Sequence, residues 1–305
     1  MSILVCENLT KKFNKKININ DFNYNFLENN IYSLIGKTDS LREQLLDLIS
    51  GKAILDSGAV YLDGELLNDS MDIQQKLCYI SRKMKFPANF KIETILKYFS
   101  SFYPKWDNNL AYEILANYNL KDNILYYRLT PTQKSLLNAI IGLSSKANIT
   151  IFDNPLKGCD VKDRYDFFNF FYNDYIINPR TIIMSTDYID EIDFLTNKIL
   201  FIDNGVLFDN YNTEALKNNF KYLTGKTEVL SSLISGIKVI GLEERGNMLT
   251  VCIREKLRKD DIRKYQKYMV KISPVPIQKV FIYLINLRKL KGLKWKLKSL
   301  LCCIF

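Results

Sequence analysis

The sequence predicts an α/β fold with a mainly parallel sheet, a helical subdomain set into it and a small α+β extension behind it. Three observations carry that prediction. Short apolar runs (SLI at 33–35, ITIFD at 149–153, TIIMS at 181–185 and ILFID at 199–203) read as strands buried on both faces. Between about 81 and 145 the spacing of apolar residues is mainly helical, with 92–99 and 110–118 as periodic segments. Residues 237–285 then alternate the strand-like KVIGLEERGNMLTVCI with a charged helix and KISPVPIQKVFIYLI, after a less periodic, Gly-containing stretch at 223–236 that reads as a linker.

The first strand is the most informative. Ser33-Leu34-Ile35 ends at Gly36, and Leu41, Leu45, Leu48 and Ile49 then recur at helical spacing until Gly51 closes the helix. Strand, loop and helix are laid out as in a phosphate loop of form G-x-x-x-x-G-K-[ST]. There glycines turn backbone N–H groups onto phosphate, the Lys reaches the terminal phosphates and the hydroxyl holds magnesium. Counted from Gly36, Ser40 precedes the second glycine position, which holds Leu41; Arg42 fills the lysine position and Glu43 the Ser/Thr position. The alternative register, Gly36-Lys37-Thr38 as the last three letters, puts Ile31 at the first glycine and leaves no loop to wrap a phosphate.

Composition bounds the class. A chain of 305 residues, 47% hydrophobic, can bury a full α/β core with a small appendage. Its six cysteines (6, 78, 159, 252, 302 and 303) show neither CxxC pairing nor zinc spacing, so reduced thiols are expected. MSILVCENLT lacks the basic and apolar regions of a signal peptide, and no apolar run approaches the roughly 18 residues that span a bilayer. If the chain serves transport, the membrane pore is expected in another chain. The net charge of +10 is concentrated at one end and no nucleic-acid-reading module is visible, which argues against a nucleic-acid partner.

Six motifs follow in order: ENLTKKFN with Phe13, the 33–64 segment ending SGAVYLDG, YISRKMKFPANFKIETILKYFSSFYPKWD (79–107), RLTPTQKSLL (128–137), ITIFDNPLKGCD (149–160) and TIIMSTDYIDEIDFLTNKILFIDNGVLF (181–208). Order and spacing resemble the ATP-binding subunit of a bacterial ABC transporter, across about residues 2–223, and FYPKWD is similar to the antibiotic- and bacteriocin-exporter branch. The resemblance implies a P-loop NTPase of the ABC ATPase fold. It implies a nucleotide-binding domain over 1–223; beyond it the sequence pattern divides into an extension at 224–285 and a basic tail at 286–305. Gly51 and Gly58 stand at the family's distances after the P-loop lysine only when Arg42 occupies that position.

Carried over by position, the resemblance gives Phe13 the adenine-stacking role and Gly36 the first P-loop glycine. Arg82 stands in place of the Gln, or in some members Glu, that senses magnesium and couples to the membrane subunit. Leu129-Thr130-Pro131-Thr132-Gln133 occupies the LSGGQ signature without its glycines. Asp153 matches the Walker B aspartate, the position that holds magnesium in the family, Asn154 stands where the catalytic glutamate would be, Asp160 matches the D-loop aspartate and Asp187 stands in place of the switch histidine. The chain has no histidine.

These departures point one way. Leu41 carries a branched side chain where glycine lets the backbone approach phosphate. A Glu43 carboxylate about 5 Å from one phosphate charge costs roughly 3 kcal/mol at an effective dielectric near 20. Arg42 is not interchangeable with Lys, Asn154 cannot accept a proton, and Asp187 repels a γ-phosphate. Pro131 lacks an N–H, and Thr130-Pro131 also reads as an ordinary helix start. The expectation is a cytoplasmic subunit, peripheral at the inner face of the cell membrane. It partners a permease and a second nucleotide-binding subunit in a homo- or heterodimer, with ATP and magnesium binding weakened and hydrolysis poor or absent. A weak ATPase using Arg42 and Asp153 to power export of a peptide or drug stays open, as does a non-transport binding protein or decaying paralogue.

The tail NLRKLKGLKWKLKSLLCCIF (286–305) carries Arg288, Lys289, Lys291, Lys294, Lys296 and Lys298 with no acid. Its leucines fall three or four apart, and Trp295 stands among them. That is the profile of a basic amphipathic helix lying on an anionic membrane, or of a helix docked on a partner.

Overall fold

Strands with no polar face must be covered on both sides, and the apolar runs accordingly pair with one another in the middle of the first of two compact units, Met1–Asn210 and Tyr211–Phe305. The computed structural model describes residues 2–13, 18–67 and 70–292. In chain order the first unit runs β1 (Ser2–Lys12), β2 (Asn18–Leu27), β3 (Ile31–Gly36), α1 (Asp39–Ile49), β4 (Ser57–Leu62), β5 (Glu65–Leu66), α2 (Met71–Gln75), β6 (Leu77–Ile80), α3 (Ile92–Phe102), α4 (Asn108–Asn117), α5 (Pro131–Ser144), β7 (Ile149–Asp153), α6 (Val161–Ile177), β8 (Thr181–Ser185), α7 (Ile189–Ile192), β9 (Lys198–Asp203) and β10 (Val206–Asn212).

Six of these strands form one sheet in the order β10-β9-β3-β8-β7-β6, with β9, β3, β8, β7 and β6 parallel. Every residue of β3, β7 and β8 is buried, as continuous apolar runs require. A second sheet, β2-β1-β4-β5, is antiparallel. Helix α1 buries Leu45, Leu46, Leu48 and Ile49 in the core that both sheets share.

Two glycines have backbone reasons. Gly51 follows the α1 cap in the left-handed region (φ 72°), which ends the helix. Gly58 (φ 93°) lies so close to β1 that a Cβ would stand 2.4 Å from the carbonyl oxygens of Glu7 and Asn8.

The expected helical subdomain is α3, α4 and α5 with a short 3-10 turn, Tyr126–Arg128. Thr130 caps α5, accepting from Gln133 N (3.2 Å) while the Gln133 side chain accepts from Thr130 N (3.0 Å), and Pro131 is the first helical residue.

The second unit departs from the sequence reading. It contains α8 (Thr213–Asn219), β11 (Phe220–Lys226), α9 (Thr227–Leu233), β12 (Val239–Arg245), β13 (Met248–Arg254), α10 (Lys259–Lys267), β14 (Lys271–Pro274) and α11 (Ile277–Gly292), with an antiparallel sheet β12-β13-β11-β14. The stretch read as a linker is thus a strand and a helix. The units divide at Asn210/Tyr211 rather than at 223, because β11 sits inside the second sheet. The run KISPVPIQKVFIYLI, given no element in the sequence reading, is β14 followed by helix α11: Ile277, Val280, Phe281, Leu284 and Ile285 are buried at helical spacing behind Pro276. Most of the basic tail, Trp295 included, lies outside the described residues. Among the described residues no helix is long and apolar enough to cross a membrane.

Candidate functional site

The parallel sheet brings the predicted site residues together. Gly36 ends β3, Asp153 ends β7, Asp187 follows β8 by two residues and Arg82 follows β6 by two. These four strands are neighbours, so residues far apart in sequence meet at their carboxyl ends, where open α/β sheets assemble sites.

The loop after β3 is short. Only Lys37 and Thr38 separate Gly36 from α1, and Arg42 N–H already donates to Thr38 O (3.4 Å). The segment that would wrap a phosphate is therefore largely first-turn helix, with Ser40 half-buried in it and Leu41 packed on the core.

Arg42 is buried, its stem against Gly36. Its Nη1 donates to Gly36 O (2.6 Å), and its Nη2 donates to Asp39 Oδ1 (2.6 Å) and to Asp187. Arg82 donates from Nη1 to Asp39 Oδ2 (2.8 Å) and from Nη2 to Glu43 Oε2 (2.8 Å), and its Nε lies 3.6 Å from Asp153 Oδ2. Lys83 holds Glu43 Oε1 at 2.8 Å, and Lys157 pairs with Asp39. Four cations thus face four acids within one chain.

Protonation follows from these partners. The hydrogen bond from Lys157, helped by Arg42 and Arg82, holds the Asp39 carboxyl below its usual range. Burial pushes Glu43 up, but Lys83 and Arg82 outweigh it and the carboxyl titrates low. Asp153 goes the other way: burial raises it, against a hydrogen bond from Ser185 (2.9 Å) and the charge of Arg82. Its Oδ2 is buried without a hydrogen bond.

Asn154 occupies the left-handed region (φ 46°), a conformation asparagine tolerates, and its Nδ2 donates to Asp187 Oδ2 (2.8 Å). It therefore holds Asp187 in place, and its amide has no basic atom to take a proton. Phe13 is half-buried against the apolar core, so packing accounts for it without a ligand.

The signature positions lie at the amino end of α5. Thr130 and Gln133 are occupied with each other, and Thr132 Oγ1 donates to Gly158 O (3.2 Å). Asp160 caps α6 by accepting from Asp163 N (2.8 Å). Arg164 joins these segments: it donates to Cys159 O (2.6 Å), makes a bidentate pair with Glu191 (2.8 and 2.8 Å) and lies 4.0 Å from the Tyr188 ring centroid. Sequence reasoning missed Asp39, Lys83, Lys157 and Ser185. Asp39 alone had a local signal, an acid three residues before Arg42 in the first helical turn.

No protein-family profile matches the chain. It is 21% identical over 255 residues to the ABC transporter ATP-binding protein YtrB of Bacillus subtilis, covering 83% of this chain and 87% of that one. Among solved structures it is similar to an ATP-binding subunit of an ABC transporter (TM-score 0.62, 15% identity, 71% of this chain and 92% of that one). It is also similar to the dimeric cassette MJ0796 bound to ADP and phosphate (TM-score 0.59, 18% identity, 69% of this chain and 99% of that one).

Proposed function

We propose, on its likeness to YtrB and to solved ATP-binding cassettes, that this chain is an ATP-binding subunit of an ABC transporter and a structural or regulatory half of it, binding nucleotide weakly and hydrolysing it poorly or not at all. The observation that carries this reading is the ion-paired cluster. Arg42, at the lysine position, already has its fork on Gly36, Asp39 and Asp187. A magnesium nucleotide fits these residues badly. Glu43 stands at the hydroxyl position held by two cations, and Arg82 rather than a metal is the charge beside Asp153. A polyphosphate entering here must part ion pairs that are partly buried, and separating a buried pair costs about 3–5 kcal/mol. With four charges of each sign, the site also lacks the positive field that would draw a phosphate in. Asn154, at the catalytic glutamate's position, cannot take a proton from water and donates to Asp187 instead.

Asp153 Oδ2, which accepts no hydrogen bond though Arg82 lies 3.6 Å away, favours the competing reading, a weak ATPase using Arg42 and Asp153. ATP turnover of the pure protein beside the double variant Arg42→Ala, Asp153→Ala decides between them. Equal rates are expected, and turnover lost in the variant sinks the proposal. The partners proposed are a membrane permease and a second nucleotide-binding subunit, at the inner face of the membrane. For membrane contact by the basic tail, flotation with anionic liposomes is expected to fall when 293–305 are removed, and unchanged flotation refutes it.

A further inference from the structure

The three positions that the resemblance assigns to magnesium, Glu43, Arg82 and Asp153, meet in this chain around one guanidinium. Each Arg82 nitrogen faces a different carboxylate. Nη1 donates to Asp39 Oδ2 (2.8 Å) and Nη2 to Glu43 Oε2 (2.8 Å), while Nε lies 3.6 Å from Asp153 Oδ2. Lys83 takes the other Glu43 oxygen (2.8 Å), and the Ser185 hydroxyl donates to Asp153 Oδ1 (2.9 Å). Of these carboxylate oxygens, Asp153 Oδ2 alone is buried without a hydrogen bond, and the guanidinium is the charge that compensates it.

A guanidinium and a magnesium ion ask for different surroundings. Arginine is charged at every pH a protein meets and sets its acceptors around the edge of a planar fork. Magnesium needs oxygens in near-octahedral array, at about 2.0–2.1 Å on all sides. Among the described residues no three acidic, cysteine or histidine side chains are grouped to hold a metal ion. A divalent ion placed among Asp39, Glu43 and Asp153 would stand beside the Arg82 charge and would have to part it from Asp39 and Glu43. The carboxylates suit such a metal by chemistry, but the arginine already fills the place between them.

We propose that Arg82 takes the place of the divalent cation, so that this chain excludes magnesium and any nucleotide it holds binds without a metal. The second half of that statement rests on the reading of the chain as a weak nucleotide binder; the first does not. Manganese, which takes the same oxygen ligands, is titrated into the full-length protein without nucleotide and followed by EPR. The wild type is expected to leave manganese free below millimolar concentration, whereas Arg82→Gln should bind it roughly tenfold tighter through Glu43 and Asp153. A saturable wild-type site at micromolar manganese that Asp153→Asn weakens overturns the proposal, and so does a folded Arg82→Gln that gains none. Should Arg82→Gln not fold, the wild-type titration decides alone. In a second pair of arms ATP is titrated with EDTA or with excess magnesium, at matched ionic strength, and Tm is read. The shift with EDTA is expected at the same or a lower ATP concentration. A shift that only magnesium allows overturns the proposal, whereas no shift in either arm retires weak nucleotide binding and leaves the manganese result to decide.

Discussion

At the carboxyl ends of β3, β6, β7 and β8, Asp39, Arg42, Glu43, Arg82 and Asp187 all have ionic partners within the chain, whereas at the amino ends of β3, β7 and β8 a tryptophan and an arginine keep donors that nothing accepts. The same parallel sheet thus presents, where such folds ordinarily hold a ligand, a cluster whose charges are paired with one another although Arg42 Nε and Asp153 Oδ2 make no hydrogen bond, and at its other end two buried donors, Trp106 Nε1 and Arg180 Nε, without acceptors. The position of a site in a fold and its readiness to bind are separate properties. The first is set by strand order, the second by whether the charges gathered there are already paired within the chain.

The contrast can be broken by removing single partners. Arg82→Ala leaves Glu43, whose side chain is 6% exposed, and Asp153, 3% exposed, without the guanidinium between them. It should cost about 3 kcal/mol in urea unfolding at neutral pH; a loss within experimental error would mean the cluster is not a stabilising unit. Acid should undo the same unit. Asp39 and Glu43 titrate low when folded, so their contribution is complete above the ordinary carboxylate range and is lost as pH falls through the lowered values. Asp153, raised by burial, opposes this, since its cost at neutral pH is relieved on protonation. Two lowered groups against one raised predict that Tm falls below about pH 4, with a flatter profile in Glu43→Gln. A smaller effect is expected for Asn154→Glu, which restores a carboxylate but in the left-handed region and facing Asp187; about 1–2 kcal/mol of stability should be lost. Thr130→Ala should cost about 1 kcal/mol by removing the α5 cap. It should leave ATP-induced shifts unchanged, because Thr130 is engaged with Gln133.

Much of this was legible in the sequence. The central strands could be read because each is apolar on both faces, and Gly51 and Gly58 because their spacing located the helix end and the close strand. The capping of α5 was legible from Thr130-Pro131 alone, since the chemistry of a helix start is local. The cluster was only half legible. Arg42, Glu43, Arg82, Asp153 and Asp187 could be located by motif, but not the ion pairs among them. Lys157 finds Asp39 across 118 residues, a pairing that only strand order creates. The left-handed backbone of Asn154 likewise gives no local sign. In the second unit the stretch 223–236 reads as a linker for want of periodicity, and KISPVPIQKVFIYLI is given no element. The apolar run FIYLI fits a buried strand or a buried helix equally by periodicity, and the buried positions from Ile277 onward decided for the helix.

The central claim is that the nucleotide position is closed by the chain's own charges, and an ATP·Mg titration followed by thermal shift, wild type beside Glu43→Ser, tests it most directly. Removing that carboxylate should relieve roughly 3 kcal/mol of repulsion and strengthen ATP binding about a hundredfold, so that wild type responds only at millimolar ATP and the variant well below it. Saturable stabilisation of the wild type at micromolar ATP, unchanged in Glu43→Ser, would contradict the account.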